Sequence, residues 1–290
     1  MLLIDAHTHW HPDFVSRDPC GWARAVGEAH WGRLMAPRPD GRKNLQGFPS
    51  IEKFLRDMDA AGVERAVIQA WYWRMPENCE AVNAAVAEAV GRFPDRLSAF
   101  CAINPACGGI EARLRRARDM GFAGIGELHD GVQGFSFSSE GFAELCGLAG
   151  DFNMPLCVHL GDPDGKDYPN KIFTDNAAVA AAAEAFPGTG FILSHWGGGE
   201  VFKPGFKPLK NVFYDTAANT FLYGKSAWRK IGGALADRMI YGSDYPLRLY
   251  PSLSAEEEMV LFSQEALANV PSEFQDGFFS ANFLSIYGIE

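Results

Sequence analysis

The sequence predicts an α/β fold, a (β/α)8 TIM barrel with an insertion after its first strand. Three observations predict it. Eight short apolar, β-rich runs recur along the chain, helix-patterned segments lie between them, and the 290 residues suit the roughly 250 that one such barrel takes. Strands that are apolar on both faces and separated by helices require a parallel sheet covered by helices. An open, doubly wound sheet is the alternative. It would place a glycine-rich phosphate loop after the first strand, where this chain has "HTHWHP". The glycines of "GGGE" follow the sixth run instead and carry no lysine.

Taken in order, the strand candidates are "LLIDA", "RAVIQAW", "LSAFCAI", "FAGIGEL", "MPLCVHL", "GFILSHW", "NVFYDTA" and "RMIYGSD". Between the early ones lie "SIEKFLRDMDAAG", "NCEAVNAAVAEAVGRF", "GIEARLRRARDMG" and "SEGFAELCGLAGDF". In most of these, apolar residues fall at i, i+3, i+4 and i+7, the pattern of a helix with one buried stripe. Gly62, Gly121 and either Gly150 or Asn153 stand just before strands, at helix C-caps. The irregular connection is the first. Residues 10–50 contain "GWARAVGEAHWGRLM", which can form one amphipathic helix, followed by the turn-rich "APRPDGRKNLQGFP". Long loops at the C-terminal face of a barrel shape substrate sites, so this insertion is a lid candidate, with an oligomer contact as the alternative. Residues 1–290 read as a single domain.

Composition excludes several functions. Hydrophobic residues at 47% and charged residues at 21% describe an ordinary soluble protein with a substantial core. A net charge of −10 with no basic five-residue run argues against a nucleic-acid surface. "MLLIDAH" lacks the basic and apolar regions of a secretory signal, and "NAAVAAAAEAF" is too short to span a membrane. The six cysteines show no paired spacing, which fits a reducing, cytoplasmic setting.

The polar residues then fall in structural register. His7 and His9 end the first strand, Glu127 the fourth, His159 the fifth, His195 the sixth and Asp244 the eighth. The steps from Glu127 to His159 to His195 to Asp244 are 32, 36 and 49 residues, the last crossing two strands. One βα unit takes about 30 residues or somewhat more. In a parallel barrel all strand C-termini meet at one rim, so these side chains converge on one pocket. Residues i and i+2 of a strand share a face, so His7 and His9 can bind one ion. Pro12 turns His11 away, towards substrate or the outer side of the site, or into solvent as a loop residue. Imidazole and carboxylate ligands suit a divalent metal, zinc first, with manganese or iron as alternatives.

At this point the residues resemble the amidohydrolase superfamily of metal-dependent barrels. "DAHTH" matches its first-strand HxH motif, "VHL" and "SHWGG" its later histidines, and "YGSDYP" its eighth-strand aspartate; "FFSANFLSIYGI", with Asn282, looks like its C-terminal segment. HxH alone is a weak signal, whereas HxH with the spaced His, His and Asp is a strong one. The likeness covers the whole chain and is strongest for the branch that includes aminocarboxymuconate-semialdehyde decarboxylase and related hydrolases. It implies His7, His9 and Asp244 as ligands of a first metal. In binuclear members His159 and His195 bind a second ion, and Glu127 sits where a bridging Glu would lie. In mononuclear members His159 joins the first ion and His195 contacts substrate or the reacting water. A buried carboxylate is costly without a cation nearby, which tips the reading towards two ions. A Glu paired with an Arg or a backbone N–H is the alternative.

The resemblance implies hydrolysis of a small amide, ester, lactone or phosphoester, with a metal-activated water, Asp244 as general base and His195 at the oxyanion. The alternative is a lyase, a decarboxylase or hydratase of a small unsaturated or aromatic acid. Trp10, Trp71, Tyr72, Trp73, Trp196 and Tyr245 flank strand ends and can wall such a pocket, although core packing explains them equally well. Arg74 and Arg248 are candidates to clamp a substrate carboxylate, with a solvated surface position as the alternative for at least one of them. A binding protein that had lost catalysis is a third reading, and retention of Asp244 speaks against it. The partner implied is a small molecule, with a homodimer as the assembly common in the branch.

Overall fold

A computed structural model of the chain describes residues 1–166 and 170–288. Eight strands form one sheet in sequence order, every neighbouring pair parallel. They are β1 (Ile4–Thr8), β2 (Arg65–Ile68), β3 (Leu97–Cys101), β4 (Gly124–Leu128), β5 (Leu156–Val158), β6 (Phe191–Leu193), β7 (Val212–Asp215) and β8 (Met239–Ile240). The circle closes between the last strand and the first. The Ala6 N–H donates to the Tyr241 carbonyl at 2.9 Å, and the Asp244 N–H to the His7 carbonyl at 2.9 Å. All eight sequence-predicted strands are present; β1 is shifted two residues past its run to Thr8, and the other seven are shorter than theirs.

Two apolar layers hold the barrel. Inside the ring, Ile4, Val67, Phe100, Ile192, Phe213 and Ile240 pack together, with Phe283 and Ile286 of the C-terminal segment against them. Outside it, a larger layer lies between strands and helices, including Phe54, Leu114, Phe142 and Phe262. Asn282 ties that segment to β8, its Nδ2 donating to the carbonyls of Ala236 and Met239 at 2.9 and 2.8 Å. Ile289, at the end of the quoted closing motif, lies outside the described residues.

The first helices form as their sequences dictate. Ile51–Ala61 starts at Ser50, whose Oγ accepts from the Lys53 N–H, and ends at Gly62 with φ 72°. That left-handed cap is open to glycine at no steric cost. Pro76–Gly91, Ile110–Asp119, Glu140–Asp151 and Asn176–Ala185 cover the next four connections. Of the two cap candidates before β5, Asn153 takes the left-handed position, at φ 51°. Helix coverage thins afterwards: β6 to β7 and β7 to β8 are joined by short turns and 3-10 segments. No helix among the described residues is long and apolar enough to cross a membrane.

The insertion departs from the single helix expected over 21–35. It forms Pro19–Val26 and Ala29–Leu34, broken at Gly27, whose φ is 81°. Glu28 explains the break. Its buried carboxylate accepts from the N–H groups of Arg74 and Met75 and from Asn78 Nδ2, which pins the chain against the connection after β2. Further on, Gln46 bridges Leu247, and Arg248 donates to the carbonyls of Asn44 and Gln46 and to Glu257.

Candidate metal centre and cavity

At the C-terminal rim, six side chains predicted from strand ends come together. His7 Nε2 lies 3.2 Å from His9 Nε2 and 3.6 Å from Glu127 Oε1. His9 Nε2 lies 3.2 Å from Asp244 Oδ1. His159 Nδ1 lies 3.2 Å from both Glu127 Oε1 and His195 Nε2. Among the described residues three groups of possible donors result: His7 with His9 and Glu127, Glu127 with His159 and His195, and His7 with Cys157 and Asp215. Glu127 belongs to the first two.

Local backbone irregularities aim these groups. The β1–β2 register shifts between Asp5 and Thr8, and the β4–β5 register shifts between Ile125 and Leu128. Such irregularities re-aim side chains beside active sites. His195 and Asp244 sit at φ 56° and 65°, a left-handed conformation that costs a non-glycine residue energy and persists where surrounding bonds over-determine it. Those bonds are present: the His195 N–H donates to Asp215 Oδ1 at 2.9 Å, and the Asp244 N–H to the His7 carbonyl. Gly242 is required for a close approach, since a Cβ there would lie 2.7 Å from the His7 Cβ.

The outer nitrogens decide the tautomers. His7 Nδ1 is 2.7 Å from Asp215 Oδ2, His9 Nδ1 is 3.1 Å from the Gln69 carbonyl, and His195 Nδ1 is 3.0 Å from the Ala217 carbonyl. Carboxylates and carbonyls only accept, so each Nδ1 carries a proton, which leaves Nε2 as the atom whose lone pair can be turned to a cation in the shared space. Two bare lone pairs at 3.2 Å repel unless a cation lies between them. Fixing the outer nitrogen in this way is how metal-binding histidines are oriented. The donor set therefore fits a divalent metal.

Charge follows the same geometry. Burial opposes the ionised form of Glu127, but His159, His7 and His9 hold its carboxyl well below the usual range. Burial likewise opposes ionisation of Asp244, and the adjacent rings of His9, His7 and His195 bring it below its ordinary value. Burial pushes His7 down, yet Asp215 and Glu127 outweigh it and raise the ring well above the ordinary histidine value. Burial lowers His159 to about 4.

A cavity of about 450 Å³ opens over these groups. That volume suits a small-molecule ligand. His9, Glu127, His159, His195 and Asp244 line its polar floor, and its walls include Trp71, Tyr72, Leu160, Phe221 and Leu247. Residues 33–39 and 44–46 of the insertion also line it. Trp71 and Tyr72 thus stand where aromatic walls were expected.

Other sequence candidates lie elsewhere. Trp10 and Trp73 are outside the cavity lining, Trp73 fully buried against Trp22 and Trp31. Trp196 and Tyr245 are core residues, and the Tyr245 hydroxyl donates to Asp57. His11 is neither solvated nor at the cavity: it is buried beside Trp31, Phe48, Trp71 and Trp73, and burial lowers it to about 3. Arg74 is exposed and outside the lining. Arg248 is also outside it, held by Glu257 and the insertion's carbonyls.

Sequence reasoning missed four residues. Asp215 ends β7 and holds both His7 and His195, a position the strand-end rule covers and could have found. His129 lines the cavity directly after β4, one position beyond the quoted strand run. His30 and Arg33 reach the cavity from the insertion, and no periodic signal marks them.

Residues 4–289 match the sequence profile of the amidohydrolase family, and the chain belongs to that family. No curated protein matches the chain. Among solved structures it resembles 2,6-dihydroxybenzoate decarboxylase from Rhizobium (TM-score 0.67, 18% identity, 99% of each chain covered). It also resembles 5-carboxyvanillate decarboxylase from Novosphingobium aromaticivorans, complexed with manganese and a nitrobenzoic acid (TM-score 0.68, 17% identity, 99% of this chain and 96% of that one). A third is a probable 2-pyrone-4,6-dicarboxylic acid hydrolase from Acinetobacter baumannii with citric acid bound (TM-score 0.66, 13% identity, 99% of this chain and 100% of that one). At these identities the likeness is one of fold.

Proposed function

We propose that this amidohydrolase-family member is a metal-dependent lyase that removes CO2 non-oxidatively from a small aromatic or unsaturated carboxylic acid. The observation that carries this reading is the cavity, whose polar floor of imidazoles and carboxylates meets apolar walls edged by Trp71 and Tyr72. A planar acid fits that division, ring against the walls and oxygens to the floor. The sequence placed hydrolysis first. The order is reversed because two of the three solved proteins named above are decarboxylases of benzoic acids.

His7, His9 and Asp244 would hold a divalent ion, with Glu127, His159 and His195 as a second donor set; the ion would supply positive charge to bind the substrate's oxygens. Manganese joins zinc as a candidate, since the decarboxylase from Novosphingobium binds it. The chain's own residues move the proton. The bond from ring carbon to carboxylate breaks, its electron pair stays on that carbon, and the carbon takes a proton that Asp244 or His195 relays from solvent. The anion and one proton thus become the ring C–H and CO2. Arg33, exposed at the cavity lining, meets a substrate carboxylate in place of Arg74 and Arg248. The insertion walls the entrance as the lid. Six free thiols support a reducing, cytoplasmic setting.

Hydrolysis is the second reading, favoured by the Asp244 carboxylate, which its neighbours keep ionised and able to take a proton from water. Screening manganese- and zinc-loaded protein with benzoic and unsaturated acids for CO2 release, and with esters, lactones and amides for hydrolysis, separates the two. CO2 release without hydrolysis is expected; hydrolysis alone overturns the lyase reading.

A further inference from the structure

We propose that the substrate acid carries a hydrocarbon substituent remote from its carboxylate, and that this group sits in an outer chamber walled by Leu34, Leu45, Phe221, Leu222 and Leu247. This rests on the reading of the cavity as the site of an aromatic or unsaturated acid and adds what that acid bears at its far end.

The cavity is graded from floor to mouth. Its imidazoles and carboxylates come from strand ends, whereas these five side chains come from the insertion and from the connections after β7 and β8. Strands β7, β8 and β1 are neighbours round the closed ring, so the segments that follow them share one side of the mouth. All five residues line the cavity, and each is only partly buried. A single half-covered leucine is ordinary on a protein surface. Five such side chains along one concave wall leave apolar surface bare where a ligand enters, and a patch of that kind marks a binding site.

The wall is tied in place. The Arg248 N–H donates to the Leu45 carbonyl at 2.8 Å, and Leu247 pairs with Gln46 in an antiparallel bridge. The turn Asn219–Leu222 is held from two sides. Thr220 Oγ1 donates to Glu265 Oε1 at 2.8 Å, and the Tyr223 hydroxyl donates to the His195 carbonyl at 3.3 Å. That second bond joins the wall to a residue of the floor. A chamber held by such bonds costs its ligand little ordering.

Size and chemistry then choose the occupant. At about 450 Å³ the cavity falls in the range that encloses drug-sized ligands, more than one ring and a carboxylate occupy. Arg33 brings charge to the same mouth, but the five side chains of the wall offer no polar atom. A polar group set against them loses water and gains no partner, whereas a hydrocarbon gains by leaving water.

The test is calorimetric binding of benzoate, 4-methylbenzoate, 4-butylbenzoate and 4-phenylbenzoate to metal-loaded protein. Each buried methylene is worth about fourfold in affinity, so Kd should fall at least about tenfold from benzoate to 4-butylbenzoate. The heat-capacity change on binding should grow more negative along the series, the mark of apolar burial. Leu222→Asn and Leu34→Asn, on two separate segments, should each cut the ratio of the benzoate to the 4-butylbenzoate Kd by about threefold; should one variant fail to fold, the other gives the same readout. No binding, or affinity that stays level or weakens with chain length, overturns the proposal, as does tightening that both variants leave unchanged. CO2 release from aromatic acids with no gain along the series sinks this inference and leaves the decarboxylase reading standing. A gain that the variants diminish, in a protein that releases no CO2 from any acid, upholds this inference and sinks that reading.

Discussion

The Nε2 atoms of His7 and His9 face each other at 3.2 Å, while Asp215 and the Gln69 carbonyl hold the opposite nitrogens. Neither ring can turn to relieve the contact without giving up its outer bond, so the pair is organised for a cation. Protein purified without chelator should contain close to two divalent ions per chain by elemental analysis. A firm value of one would remove the bridging role of Glu127. Asp215→Asn should weaken metal affinity by about 10- to 100-fold, the usual cost of disturbing a ligand's outer partner, with the circular dichroism spectrum retained.

Asp244 is placed to act on protons as well as on metal, lining the cavity floor beside His9. Asp244→Asn keeps the shape and one oxygen but removes the proton-carrying carboxylate. Turnover should fall by about 10²- to 10⁴-fold, the range for losing a general acid–base group, with most of the metal still bound. Wild-type rates in that variant would end the assignment.

Arg248 couples the insertion to the loop that carries Asp244. Its guanidinium donates to Asn44, Gln46 and Glu257, and its N–H to the Leu45 carbonyl. Arg248→Ala leaves the buried Glu257 with Lys53 at 3.6 Å as its remaining charged neighbour. We expect a loss of about 2 kcal/mol in denaturant unfolding and faster hydrogen exchange over residues 33–46. A variant as stable and as protected as the wild type would show that this tether is ornamental.

His11 gives stability a pH dependence of defined sign. Burial lowers its folded value to about 3 against an ordinary 6.5. Between those values the unfolded chain binds the proton and the native ring does not, so stability is lost as pH falls below 6.5. From pH 7 to pH 5 the loss is about 2 kcal/mol, at 1.36 kcal/mol per unit. His11→Phe, which suits the surrounding aromatic rings, should flatten that share of the slope in parallel unfolding curves. Equal slopes for the two proteins would place the titration elsewhere.

The linear sequence determined the strand count, the parallel order and the strand-end residues, because buried strands need apolar runs and a barrel collects their ends at one rim. His7, His9, Glu127, His159, His195 and Asp244 were legible for that reason. What only the tertiary structure decided is which side chains near the rim turn inward. Register shifts in β1 and β4 and left-handed turns at His195 and Asp244 aim the donors, and no periodic pattern encodes them. The fates of Arg74, Arg248 and Trp73, and the arrival of His30 and Arg33 at the cavity, depend on how the insertion packs. That packing is set by long-range bonds such as those of Glu28 and Arg248, between residues that lie far apart along the chain.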